Sequence, residues 1–161
     1  MRVVAAPDKF RGTVSAADAA SAMARAVVSR GGTAIEVPMA DGGEGLLDVL
    51  GGPDHTTEVT GPLGSPVRAG WRLSGGTAVV EMARASGLVL AGGIEGNRPL
   101  DATTAGVGEL LRHAVELGAR RVIVGMGGSA TTDGGLAALD AMGPMARYRG
   151  VEMLVACDVR T

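Results

Sequence analysis

Gly125-Met-Gly-Gly-Ser-Ala-Thr-Thr-Asp-Gly-Gly135 stands between two apolar segments of different period. Before it, Arg120-Arg-Val-Ile-Val-Gly125 reads as a buried parallel strand; after it, Leu136-Ala-Ala-Leu-Asp-Ala-Met142 has apolar residues at helical spacing. The stretch therefore joins a strand to a helix, as in an α/β fold. Its glycines permit close backbone approach and φ > 0, and Ser129, Thr131 and Thr132 add donors beside the amides of the following helix N-terminus. Such a loop can hold an anion, and it can equally be a tight connection; both readings stand. It is not a P-loop, because no Gly-Lys-[Ser/Thr] follows at the required spacing.

Outward from this loop the same pattern recurs. Arg2-Val-Val-Ala-Ala6 reads as a short buried strand, Pro7-Asp-Lys-Phe-Arg-Gly12 as a charged loop, and Ser15 with Asp18 as the cap of a helix whose apolar stripe is Ala19, Met23, Ala26 and Val27. Gly31-Gly32 ends that helix. Ala34-Ile-Glu-Val-Pro-Met39, with its internal proline, suits an edge strand, and Ala40-Asp-Gly-Gly-Glu-Gly45 leads into a helical Leu46-Leu-Asp-Val-Leu50. Between 51 and 76 the character changes: Gly-Pro-Leu-Gly-Ser-Pro at 61–66 is a turn between strand-like runs at 57–60 and 67–73, and a domain boundary is placed there. A strand over Thr77–Met82 follows, then small-residue loop or short helix from Ala83 to Pro99. A helix over Ala105–Leu117 carries the stripe Val107, Leu110, Leu111, Ala114 and Val115, with Thr103 or Thr104 as cap and a second anion site at its N-terminus as the functional reading. The last apolar run, Glu152 to Ala156, ends in Cys157 and Asp158; Cys157 is read as a small core residue. His55 and His113 lie too far apart in sequence to suggest a shared metal.

Composition narrows the classes of function. The chain has 161 residues, 46% hydrophobic and 20% charged, with 27 glycines and only three aromatics, Phe10, Trp71 and Tyr148, so the core is built from Ala, Val, Leu and Met. A net charge of −2 argues against nucleic acid or an anionic membrane as partner and leaves a small molecule. One cysteine, no apolar run of membrane-spanning length and an N-terminal run too short for a signal peptide make a cytoplasmic location the expectation. Of fifteen basic side chains fourteen are Arg, and the one lysine, Lys9, follows Asp8 at the end of the first strand, which suggests a position needing a compact ammonium, as at a phosphate.

Asp8, Asp41, Asp133 and Asp158 all fall at or just beyond the ends of expected strands, where open α/β sheets bind ligands. Convergence of these carboxylates with Lys9 and the glycine loop would suit Mg²⁺ bridging phosphate oxygens, with a further carboxylate orienting or deprotonating a hydroxyl. The chemistry implied is phosphoryl transfer.

With these segments located, the chain resembles the glycerate kinase family, the type with two α/β domains. The matching motifs are Ala6-Pro-Asp-Lys-Phe-Arg-Gly12, Pro38-Met-Ala-Asp-Gly-Gly-Glu-Gly45, Val59-Thr-Gly-Pro-Leu-Gly64, Val80-Glu-Met-Ala-Arg-Ala-Ser-Gly87, Asn97 to Leu111, Gly125 to Gly135 and Val155-Ala-Cys-Asp158, in family order. The resemblance implies ATP-dependent phosphorylation of D-glycerate to 2- or 3-phosphoglycerate, with Mg²⁺. It also implies a Rossmann- or flavodoxin-like parallel-sheet domain formed by both chain ends, residues 1–60 plus 151–161, and a second α/β domain, residues 61–150, inserted between them. On this reading Lys9, Asp41 and Asp133 are catalytic, and Asp8, Gly42, Gly43, Thr103, Thr104, Gly127, Gly128 and Ser129 hold substrate or phosphate, with Asp158 on the metal. A homo-oligomer is compatible with all of this. Only Pro144 to Gly150 separate the 136–143 helix from the Val-Ala-Cys-Asp strand, where the family continues through further residues, so the chain looks like a shortened form. Two rivals follow: a non-catalytic remnant that binds without turnover, and a dinucleotide-dependent oxidoreductase, since Gly125-Met-Gly-Gly-Ser-Ala130 fits G-x-G-x-x-A after a strand. Against the second, Thr131-Thr-Asp-Gly-Gly delays the helix.

Overall fold

The computed structural model describes residues 1–10 and 12–158; Arg11 of the Pro7–Gly12 loop and residues 159–161 of the C-terminal segment lie outside them. β1 (Arg2–Ala5), α1 (Ala16–Val28) and β2 (Thr33–Glu36) form a βαβ unit in which β2 lies parallel to β1, Arg2 opposite Thr33 and Ala5 opposite Glu36. α1 begins as its sequence dictates: the Ser15 hydroxyl oxygen accepts the Asp18 N–H at 3.1 Å and donates to the Asp18 carboxylate at 2.6 Å. Its buried face differs from the stripe expected. Ala16, Ala19, Ala20 and Ala24 are buried, while Met23 is 44% exposed and Ala26 is exposed. A two-stranded sheet offers a narrow strip to lie on, and the alanines let the helix come close to it, which leaves the longer side chains outside.

α2 (Leu46–Val49) leads to β3 (His55–Thr60), β4 (Pro66–Ser74) and β5 (Thr77–Glu81), then α3 (Ala83–Ser86), α4 (Gly93–Gly96), α5 (Ala105–Glu116), β6 (Arg121–Gly125), α6 (Leu136–Met142), a 3₁₀ turn over Met145–Tyr148 and β7 (Glu152–Ala156). β3 to β7 make one sheet in that order, antiparallel for the first two pairings and parallel for the last two. The fold is thus α/β, with parallel strands and flanking helices. Within the described residues the pairings of the later strands are these. β7 pairs with β6, Arg121 opposite Glu152 and Gly125 opposite Ala156, and β3 pairs with β4 across the boundary expected near Gly61. An apolar strand edge is satisfied by whichever strand reaches it, and β6 would otherwise present one.

Strand alternation decides what lies on each face of this sheet. Ala78 and Val80 of β5 with Val122 and Val124 of β6 face the main core, where they meet Trp71, Val107, Leu110, Leu111, Ala114 and Met142. Val79, flanked by Ile123, faces the other way and packs under Leu46 and Leu47 of α2. Trp71 is fully buried, its indole N–H donating to the Thr57 hydroxyl at 2.9 Å and its ring 4.6 Å from that of His55.

Candidate active site

Lys9 follows β1 and Asp41 follows β2, so the parallel pairing of these strands delivers both to one edge. Lys9 Nζ lies 3.2 Å from Asp41 Oδ1 and 3.7 Å from Asp8 Oδ1, with 15% of the lysine side chain exposed. Asp8 also accepts the backbone N–H of Lys9 at 2.6 Å, and Asp41 Oδ1 accepts that of Gly43 at 2.9 Å. Both carboxylates therefore sit on one ammonium. Beside them opens a cleft of about 630 Å³, with Asp8, Lys9, Glu44 and Asp48 on its polar side and Phe10, Val14, Met39 and Val49 on its apolar side.

The Asp41–Gly45 loop is wedged between the ends of three strands. A methyl group on Gly42 would lie 2.7 Å from the Ala156 carbonyl at the end of β7, and one on Gly127 would run into Gly43 Cα. The Gly125–Gly128 turn and the 41–45 loop thus touch backbone to backbone, as two glycines allow. Glu44 faces the same turn: its Oε1 lies 2.8 Å from where a Gly128 side chain would start. Gly128 also accepts the Leu88 N–H at 2.8 Å, and the Ala130 N–H donates to Ser86 at 2.9 Å, which fixes the turn on the segment after β5. The Ser129 hydroxyl accepts the Thr131 N–H at 3.2 Å and is exposed. The structure thus brings together Asp8, Lys9, Asp41, Gly42, Gly43 and Gly127.

Asp133 takes part in a different constellation. Its Oδ2 accepts both the backbone N–H and the hydroxyl of Thr104, each at 2.8 Å, and its Oδ1 accepts the Gly135 N–H at 3.0 Å. Burial raises its pKa, but hydrogen bonds from the Thr104 and Gly135 amides and the Thr104 and Thr131 hydroxyls outweigh that and hold it below the ordinary value. Thr104, 1% exposed, also accepts the Ala138 N–H at 2.9 Å, so Asp133 and Thr104 together tie the start of α5 to α6. Thr103 caps in its place, accepting the Ala105 N–H at 3.1 Å.

Two further expectations meet the structure here. Cys157 is exposed, not in the core, because β7 is the last strand of its sheet and its residues Glu152–Val155 are themselves exposed. Asp158 is likewise exposed, just past the Ala156–Cys157 backbone that abuts Gly42. Among the described residues no three His, Cys, Asp or Glu side chains gather as they would around a metal ion, and Asp8 and Asp41 meet on Lys9. The described residues do not form a protein cage for Mg²⁺.

One residue that lies in the Val80–Gly87 motif but was given no role stands out. Glu81, at the end of β5, is 2% exposed; its Oε1 accepts the N–H groups of Gly45 and Leu47 at 2.9 and 2.7 Å, and its Oε2 accepts from Arg84 Nε at 3.1 Å. A strand glutamate reads as solvent-facing; only its place at the strand end, on the α2 side of the sheet, hinted otherwise.

The fold is α/β, and its lysine–aspartate cluster lies at the carboxyl ends of parallel strands, where open α/β sheets bind their ligands. The profile of the Glycerate kinase family matches residues 3–152, and the chain belongs to that family. It is 41% identical over 195 aligned positions to Glycerate kinase of Bacillus subtilis (strain 168), covering 99% of this chain and 51% of that protein. It is 42% identical over 151 positions to Glycerate 2-kinase of Escherichia coli (strain K12), covering 89% and 39%. A crystal structure of a protein assigned as glycerate kinase 2 from Salmonella typhimurium LT2 superposes with a TM-score of 0.73 at 40% identity, covering 89% of this chain and 41% of that one. The chain therefore spans about half the length of these relatives or less. The alignment with the Bacillus protein is longer than the chain itself, so that relative carries residues within the matched span that this chain lacks, in agreement with the shortened form expected.

Proposed function

We propose that this chain catalyses ATP-dependent phosphorylation of D-glycerate, at its 2- or 3-hydroxyl, through the Lys9–Asp41 site. The observation that carries the proposal is the 3.2 Å salt bridge between Asp41 and the chain's one lysine, which lines the cleft and lies against glycine backbone. In the reaction a glycerate hydroxyl attacks the γ-phosphorus of ATP, the bond from that phosphorus to the bridging oxygen breaks, and ADP leaves. Lys9 neutralises charge on the phosphoryl oxygens in flight, as a point charge. Asp41 orients the hydroxyl and takes its proton. Gly127, Gly128 and Ser129 offer amide and hydroxyl donors to phosphate or to the glycerate carboxylate, and the apolar wall of Phe10, Val14, Met39 and Val49 accommodates the base. Mg²⁺ enters only with the nucleotide it accompanies. Asp133 and Thr104, engaged with each other and with α6, hold the framework in this reading and do not touch substrate.

Lys9→Ala, assayed by ADP release with D-glycerate, tests the assignment. A loss of about 10³-fold in kcat is expected, because a charge acting on the transferring phosphoryl group is felt chiefly in the transition state. Turnover within a few-fold of the parent would remove Lys9 from the chemistry. ATP and glycerate binding without ADP release by the parent would favour the binding-only reading, which the limited span of the relatives keeps in view.

A further inference from the structure

Asp41, one member of the pair that carries the proposed reaction, is mounted on the loop between β2 and α2, and that loop is fastened by a side chain from another sheet. Asp41 and Gly43 lie between β2 and α2. Leu46 and Leu47 sit on Val79 by apolar packing, which is not directional. The directional contacts come from Glu81. Its Oε1 receives two amides of the same segment, Gly45 and Leu47, while Oε2 is held by Arg84, whose other end reaches Asp48 at 3.3 Å. A carboxylate buried to this degree is costly unless its lone pairs are filled, and here donors come from the loop and from Arg84. Neither β5 nor α3 needs this side chain for its own backbone hydrogen bonds.

Two amides after Gly43, whose N–H binds the Asp41 oxygen that also takes Lys9, the loop is therefore pinned to the end of β5. We propose that Glu81 is a positioning residue: it sets where Asp41, and through it the Lys9 ammonium, stands relative to the Gly125–Gly128 turn. The proposal rests on the kinase reading for its consequence in turnover. Its structural half can be read without turnover.

The test compares Glu81→Gln and Glu81→Ala with the parent. Lysine labelled with ¹³C at Cε gives a single side-chain signal, because Lys9 is the only lysine. In folded Glu81→Ala the Lys9 signal is expected to move, the Gly45 and Leu47 amides to exchange at least about tenfold faster, and kcat to fall about 10²-fold with KM changed far less, as for a small misplacement of a reacting group. Glu81→Gln keeps an oxygen that can accept both amides, and should return the amide protection and most of the kcat. An unmoved Lys9 signal in Glu81→Ala, confirmed as folded by thermal melting, overturns the proposal, as does a kcat within twofold of the parent. A parent that turns over no glycerate overturns the kinase reading alone; the Lys9 signal and the amide exchange then decide the positioning claim by themselves.

Discussion

Lys9 shows what a single residue can and cannot reveal. It stood out in the sequence because every other strong cation is arginine, and the structure gives a physical reason for the exception. Its Nζ lies 3.9 Å from where a Gly43 side chain would start, and its Cδ 3.9 Å from the same position on Gly45, so the ammonium occupies a slot between backbones. A planar guanidinium is broader and fixed in its donor directions. Lys9→Arg is accordingly expected to fold as the parent does and still to lose about 10²-fold in kcat; steady-state ADP release beside a melting curve checks it, and full activity would show that only charge matters. Asp133 carries a separate prediction. Its folded pKa lies below the ordinary 3.8, so its contribution to stability is complete above that value and is lost as pH falls through the lower folded value. Asp133→Asn should therefore flatten the acid side of the stability–pH curve, measured by urea unfolding between about pH 5 and pH 2.5. An acid limb identical to the parent's would mean that the Thr104 clasp does not persist in solution. The sequence offered Asp133 as catalytic and Thr104 as a cap or substrate contact; that the two bond each other across 29 positions was not legible.

At the scale of elements, period and punctuation carried far. The runs that became β1, β5, β6, α5 and α6 are bounded by glycine or charge and have one clear period each, and their residues are those expected within a residue or two. The face of α1 was not legible, since an alanine-rich helix has no strong stripe and the sheet beneath it chose. Nor was the cost of a side chain at Gly108. A methyl there would strike the Ala138 carbonyl of α6, with which α5 packs closely, while Gly is otherwise about 1 kcal/mol worse than Ala inside a helix. Collision with backbone cannot be relieved by a rotamer change, so Gly108→Ala is expected to destabilise by about 1–3 kcal/mol. Denaturant unfolding would show it, and a gain in stability would mean that α5 and α6 stand further apart. Gly127→Ala, which would run into Gly43, should impair turnover more than stability, because the backbone it displaces adjoins Lys9 and Asp41.

At the scale of the whole molecule, the α/β class followed from alternating strand and helix patterns, but the partnering of strands did not. Which strand reaches the free edge of β6 is a long-range matter, and nothing in the run Glu152–Ala156 distinguishes β6 from β1 as its neighbour. The meeting of Lys9 with Asp8 and Asp41 beyond the strand ends was expected from the sequence, and the bonds by which the buried Glu81 ties one sheet to the loop of the other were not. The chain spans roughly half of its relatives or less. Phosphorus NMR of the purified 161-residue protein with Mg²⁺-ATP and D-glycerate tests the proposed kinase activity most directly. A 2- or 3-phosphoglycerate resonance is expected to grow, matched by ADP, and would also name the hydroxyl. ATP left intact in the presence of glycerate, by a chain shown to be folded, would contradict that activity.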